Sequence, residues 1–275
     1  MNDLKITIIQ SNLHWENMDA NLKMFSEKIS SIKEDTDLIV LPEMFSTGFT
    51  MNNKSMAESM KGRTVAWMKR MAKEKKCAIT GSVIIEEKKK YYNRLFFMLP
   101  DGEYKTYDKR HLFRYAHEQN YYTAGKKKLI VELKNWKICP IICYDLRFPV
   151  WIRNKILRQK AKGKSEYDIL LVVANWPERR NHPWKTLLMA RAMENQVYVA
   201  GINRVGDDGN NIYHSGDSAV LNFKGEIIST TKPHEESIET IAISKKELDE
   251  WRKTFPAWMD ADKFKVGSGR SRSSK

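Results

Sequence analysis

Cysteine is scarce in this chain of 275 residues: Cys77, Cys139 and Cys143 are the only three. An odd number in apolar contexts rules against a disulfide framework and fits a reducing compartment. No CxxC pair occurs, and the one His-Glu pair, at His117 and Glu118, has no second histidine four residues on, so the common zinc spacings are missing too. Long apolar runs are also absent. The strongest, Ile169 to Ala174, is six residues, against roughly 20 needed to span a bilayer. The opening MNDLKITIIQS lacks the basic and long apolar regions of a secretory leader, and the expected location is the cytoplasm. Acidic residues are in deficit, 34 against 48 Lys plus Arg, for a net charge of +14. That surplus raises the question of nucleic acid, but the lysines form scattered clusters such as Lys88 to Lys90 and Lys126 to Lys128, without interleaved aromatics. The expectation is a lysine-rich solvated surface with no nucleic-acid or membrane partner, whose field still attracts small anions.

What is present suits a globular fold. Hydrophobic residues make up 41% and charged residues 30%, enough to bury a core and far from the composition of disorder. Apolar runs of strand length recur at Lys5 to Ser11, Leu38 to Leu41, Ala78 to Ile85, Arg94 to Leu99, Lys137 to Cys143, Ile169 to Ala174, Val197 to Ile202, Ser218 to Phe223 and Ile238 to Ile243. Between them lie helix candidates at about 19 to 33, 57 to 75, 150 to 162 and 184 to 195. Runs such as DILLVVA and KICPIIC read as sheet covered on both faces, and YYNRLFFMLPDGEYKTYDK reads as a hairpin turning at Asp101-Gly102. A mixed α/β sandwich follows, occupying residues 1–264 as one domain. Residues 265–275, KVGSGRSRSSK, form a basic Gly/Ser/Arg tail of the kind cloning adds, expected to be disordered.

Three apolar runs give directly onto polar residues: DLIVLPE at Glu43, PIICYD at Cys143, and LLVVANWPE at Asn175 and Trp176. Ligands of α/β sheets sit outside the carboxyl ends of strands, so these residues are candidates to meet in one cleft. Cys143 then reads either as a buried thiol, the common state of a free cysteine, or as a nucleophile. A nucleophile needs a base, a nearby positive charge and donors for an oxyanion. None of the six histidines ends an apolar strand, which leaves Glu43 as the better placed base. Lys109, in the turn TYDKRHLF, is one cation candidate among many.

The blocks LPEMF around Glu43, YDKRHLF around Lys109 and CYDLRFP around Cys143 resemble, in order and spacing, the signature blocks of the nitrilase, or carbon-nitrogen hydrolase, superfamily. LPEMFSTGF, DKRHLFRYAHE, VANWP, ARAMENQVYVAGINRVG and FPAWMDAD are similar to those of its bacterial omega-amidase branch. The resemblance implies a four-layer αββα sandwich, usually a homodimer, and an amidase with a Glu-Lys-Cys triad carried by Glu43, Lys109 and Cys143. It implies Glu118 as a second glutamate holding Lys109, and an oxyanion hole formed by Lys109 and the backbone N–H of Tyr144. No metal or organic cofactor is implied. The substrate is then a small 2-oxo acid omega-amide, with other amides or N-carbamoyl amino acids as the rival class. For its carboxylate, Arg147 is a candidate, equally suited to a structural ion pair, and Arg204 is a weaker one. Trp176 reads as a pocket wall or a core aromatic, and Cys139 and Cys77 read as core.

Overall fold

Strict alternation along the strands decides how the chain layers. In β1 (Leu4–Gln10), Leu4, Ile6 and Ile8 join one hydrophobic cluster and Ile9 joins another. The same split divides Leu38 and Val40 from Ile39 in β2 (Leu38–Val40), and Ala78 from Ile79 in β3 (Ala78–Glu87). β4 (Lys90–Met98) repeats it, with Leu95 and Phe97 set against Phe96 and Met98. Both faces are apolar, so both must be covered.

The chain continues through β5 (Tyr104–Asp108), β6 (Val131–Leu133), β7 (Trp136–Ile142), β8 (Ile169–Val173), β9 (Tyr198–Ile202), β10 (Ala219–Leu221) and β11 (Ser237–Ile243). One mixed sheet has the order β11-β1-β2-β3-β4-β5 and the other β10-β9-β8-β7-β6. Helix α1 (Met18–Ser31) and helix α2 (Arg63–Lys75) cover the first sheet through Leu22, Phe25, Ile29, Trp67, Met68 and Met71. Helix α3 (Asn181–Asn195) covers the second through Trp184, Leu188 and Ala192, and the two sheets share the central cluster between them. The result is the expected αββα sandwich. The computed structural model describes residues 3–157, 164–262 and 264–266.

Local chemistry explains where element boundaries depart from expectation. The helix expected from 57 begins at Arg63, because Glu58 bridges to Ile85 and its carboxylate accepts the Thr64 N–H of the first turn. The helix expected over 150 to 162 is a single turn, Pro149–Ile152: beyond it, the Asn154 amide donates to the carbonyls of Tyr167 and Asn195 and holds the chain extended. Residues 158–162 of that expected helix, and 267–275 of the basic tail, lie outside the described residues. A further helix, α4 (Lys245–Thr254), starts at Ser244, whose side chain accepts from Glu247 N–H, and buries Leu248. The expected β4-β5 hairpin is present, turning through Gly102 at φ +88°. Pro140 sits inside β7, where it is tolerated because β6 pairs only as far as Ile138 and leaves that flank of Pro140 without a ladder partner.

Candidate active site

β2 leaves the first sheet into Leu41, Pro42 and Glu43, and the chain turns at once, with Met44 at φ +42°. Ser82 of β3 fixes that turn, its hydroxyl accepting the Met44 N–H at 2.8 Å. β7 ends in the second sheet just before Cys143, which takes φ +46° and opens a short 3-10 turn, Cys143–Arg147. Left-handed backbone at non-glycine residues is strained and is tolerated only when the surroundings fix it. Here Asp145, fully buried, does so: it accepts from Ile142 N–H at 3.2 Å, Tyr107 O–H at 2.8 Å and His111 N–H at 2.8 Å. Arg191 donates to Leu146 O from α3 and braces the turn from behind. Asp145 is therefore a support for the turn rather than a member of the cavity wall.

Lys109 follows β5, and the sheet order brings it inward. Its backbone N–H donates to Asn93 O at 3.0 Å and its carbonyl accepts from Gly125 N–H at 2.9 Å. Gly125 is required there, since a Cβ would meet Asp108 O at 2.1 Å. Lys109 Nζ lies 2.8 Å from Glu43 Oε1 and 3.0 Å from Glu118 Oε2, all three groups being buried. Glu43 also accepts from Asn93 Nδ2 at 2.7 Å and from Asn175 N–H at 2.9 Å. Glu118 accepts from Phe113 N–H at 2.5 Å, and its buried Oε1 has no hydrogen-bond partner among the described residues.

Cys143 Sγ is 3.8 Å from Asn175 O, at the end of β8, so the three strand ends do meet. Burial pushes its thiol well above the usual range, and Glu43 adds to that while Lys109 opposes it. The resting group is a thiol with a carboxylate next to it. Desolvation works against the Lys109 ammonium, yet Glu118 and Glu43 outweigh it and hold the lysine protonated. Glu118 is raised, chiefly by burial and also by Glu43, against the pull of Lys109. Tyr144 sits in the first turn of the 3-10 segment, a position whose N–H the helix leaves without an internal acceptor.

Above this floor lies a cavity of about 520 Å³, with Lys109, Cys143, Tyr144 and Asn175 among its lining residues. Its walls include Trp15, Phe49, Phe113, Tyr115 and Trp176. Trp176 belongs to both readings made for it, lining the cavity while packing on Trp184 at 5.5 Å. Arg147 lines the cavity, its guanidinium 5.1 Å from the Trp176 ring centre. Arg204 does not: it is fully buried behind the wall, donating to Val205 O, Asp207 O and Asn12 Oδ1, and so holds a loop. Sequence reasoning missed Arg179, Arg180 and His214, all in the wall. The arginines come directly after the quoted strand-end block, which stops at Glu178, and that adjacency was the available signal. Burial, with Arg204, pushes His214 down to about 4, so its imidazole is neutral at neutral pH. Among the described residues, no group of three or more His, Cys, Asp or Glu is arranged to hold a metal ion.

Comparison with known proteins identifies the family. The carbon-nitrogen hydrolase family model matches residues 5–253. The chain belongs to the carbon-nitrogen hydrolase family. It is 45% identical over 267 residues to the omega-amidase YafV of Escherichia coli K12, an alignment covering 97% of this chain and all of that protein. It is 32% identical to the 2-oxoglutaramate amidase of Bacillus subtilis, covering 94% and 97% of the two chains. Among solved structures, XC1258 of Xanthomonas campestris, a CN-hydrolase superfamily protein with an arsenic adduct in its active site, superposes with a TM-score of 0.93. The two are 43% identical, over 97% of this chain and 100% of that one.

Proposed function

We propose that this carbon-nitrogen hydrolase is an omega-amidase, releasing ammonia from the terminal amide of a 2-oxo acid such as 2-oxoglutaramate or 2-oxosuccinamate through a thioester on Cys143. The observation that carries the reading is the meeting of Cys143, in its left-handed turn, with the buried Glu43–Lys109–Glu118 array on the floor of the cavity. The likeness to YafV and to the 2-oxoglutaramate amidase supports the substrate class.

Each step follows from the groups present. Glu43 takes the thiol proton as the sulfur attacks the amide carbon, which suits a thiol whose own ionisation is suppressed. The carbonyl oxygen becomes an oxyanion held by Lys109 and the Tyr144 N–H. When the C–N bond breaks, Glu43 returns the proton to nitrogen and ammonia leaves. Water then enters; Glu43 takes a proton from it, hydroxide adds to the thioester, and the acid departs as the thiol re-forms. Glu118 keeps Lys109 aimed and charged throughout. Arg147, in the wall, is a candidate for the substrate carboxylate, and the net positive charge draws such anions in.

No helix among the described residues is long and apolar enough to cross a membrane. A cytoplasmic location remains part of the proposal, and so does pairing of two copies through their helical faces. Apolar side chains left exposed on α3 and just after α4, Met193, Phe255 and Met259, support the pairing, which light scattering after gel filtration checks. The function is tested by ammonia release from 2-oxoglutaramate, 2-oxosuccinamate, succinamate, an N-carbamoyl amino acid and a simple nitrile. The omega-amides are expected to lead; preference for the carbamoyl compound would overturn the substrate class.

A further inference from the structure

Buried arginines in this fold nearly always have acceptors. Arg94 pairs with Asp108 and Glu87, Arg191 donates to Leu146 O and Glu194, Arg204 donates to loop carbonyls, and Arg252 binds Asp168. The segment after β8 breaks the pattern. Arg180 is half-buried in the cavity wall, and no hydrogen bond or ion pair joins its guanidinium to any described residue. It lies instead against two aromatic rings, 5.1 Å from the Phe113 centre and 5.8 Å from that of Tyr115. Aromatic faces hold a cation in place without neutralising it or occupying its N–H groups.

Nothing nearby is free to neutralise it. Arg179 and Arg147 line the same wall, and burial together with Arg179 and Arg147 makes the Arg180 charge harder to keep, with Cys143 acting the other way. The two acids among the described residues of the wall are already occupied: Glu16 accepts from Thr50 Oγ1 and Asn52 Nδ2, and Asp208 from the N–H groups of Asn210 and Ile212. The Arg180 carbonyl meanwhile accepts from Trp176 Nε1 at 2.7 Å, which ties the arginine to the residue that follows Asn175 and the nucleophile's contact. A positive wall with free donors, whose two acids already accept from other groups, is suited to a carboxylate brought by the substrate.

We infer that Arg180 is a specificity-determining residue that binds the carboxylate of the substrate at the end remote from the scissile amide, with Arg147 and Arg179 in the same wall reinforcing the field. This rests on the omega-amidase reading and deepens it, since it requires an amide substrate with a free carboxylate. The test compares succinamate with butyramide, which replaces the carboxylate by a methyl group, in the wild type, Arg180→Ala and Arg180→Lys.

Arg180→Ala is expected to raise KM for succinamate by about 10- to 100-fold, the loss of a charge-assisted contact, with kcat changed much less. Butyramide turnover is expected to fall far less than succinamate turnover, thermal unfolding checks that the variant is folded, and Arg180→Lys falls between. An Arg180→Ala enzyme that keeps the wild-type preference for succinamate would overturn the assignment alone. Equal loss on both substrates would overturn it too, since that is a structural effect. A wild type with no preference between the two would overturn both this assignment and the omega-amidase reading beneath it.

Discussion

On the floor of the cavity Lys109 is held between Glu43 and Glu118 at 2.8 and 3.0 Å, whereas on its wall Arg180 lies against aromatic rings with no ion-pair partner among the described residues. Both are cations out of bulk water, yet they are stabilised in different ways. The floor is closed electrostatically: removing any member leaves another buried charge exposed to a low-dielectric surrounding. The wall is open, and its compensation is to arrive with the substrate. The comparison separates residues that must be in place before substrate binds from those whose interaction is completed by it.

The largest effects belong to the floor. Cys143→Ala is expected to lower ammonia release by at least about 10⁴-fold, and Glu43→Gln by a similar order, since members of such a unit are not additive. A steady-state ammonia assay reads both. Lys109→Met leaves Glu43 and Glu118 facing each other without a cation, and is expected to cost about 3–5 kcal/mol in denaturant unfolding at neutral pH. That loss shrinks as the pH falls and one carboxylate takes a proton. Arg180→Ala, by contrast, should unfold within about 0.5 kcal/mol of wild type. A strongly destabilised Arg180→Ala would break the distinction between closed floor and open wall.

Smaller effects sharpen the same picture. Asp145→Asn disturbs three donor contacts under the Cys143 turn, and is expected to cost about 2–3 kcal/mol and to lower kcat, measured by unfolding and by ammonia release. The Cys143 thiol titrates above its ordinary value of 9.0 because of burial and Glu43. Glu43→Gln should therefore move the thiolate absorbance titration to lower pH, with Cys143→Ala as the blank. Cys139→Ala should leave activity close to wild type, since Cys139 lies in the core four residues before Cys143.

Much of this was legible because strand ends are legible. Glu43, Cys143 and Asn175 each follow an apolar run at its carboxyl end, and the structure brings all three together. Lys109 was not distinguishable by the same rule. Its placement depends on the β4-β5 pairing and on the close passage of Gly125, both non-local, and it was the resemblance that pointed to it. The β3-β4 hairpin turns through Lys88 and Lys89, both at positive φ, without the glycine or asparagine that usually marks such a turn. Helix α4 was missed because its charged sequence buries only Leu248. Arg204 was expected as a carboxylate ligand on residue type alone, whereas its contacts are backbone carbonyls and Asn12. Arg180 lay two residues past a quoted block, but that its guanidinium has no acceptor among the described residues is a fact of the tertiary structure.

The central claim is that Cys143 carries the acyl group. Rapid acid quench of the enzyme during turnover of 2-oxoglutaramate, followed by peptide mass spectrometry, tests it most directly. The account predicts an acyl adduct on the peptide at Cys143, absent in Cys143→Ala, which releases no ammonia. An adduct at Cys139, or ammonia release by Cys143→Ala at the wild-type rate, would contradict it.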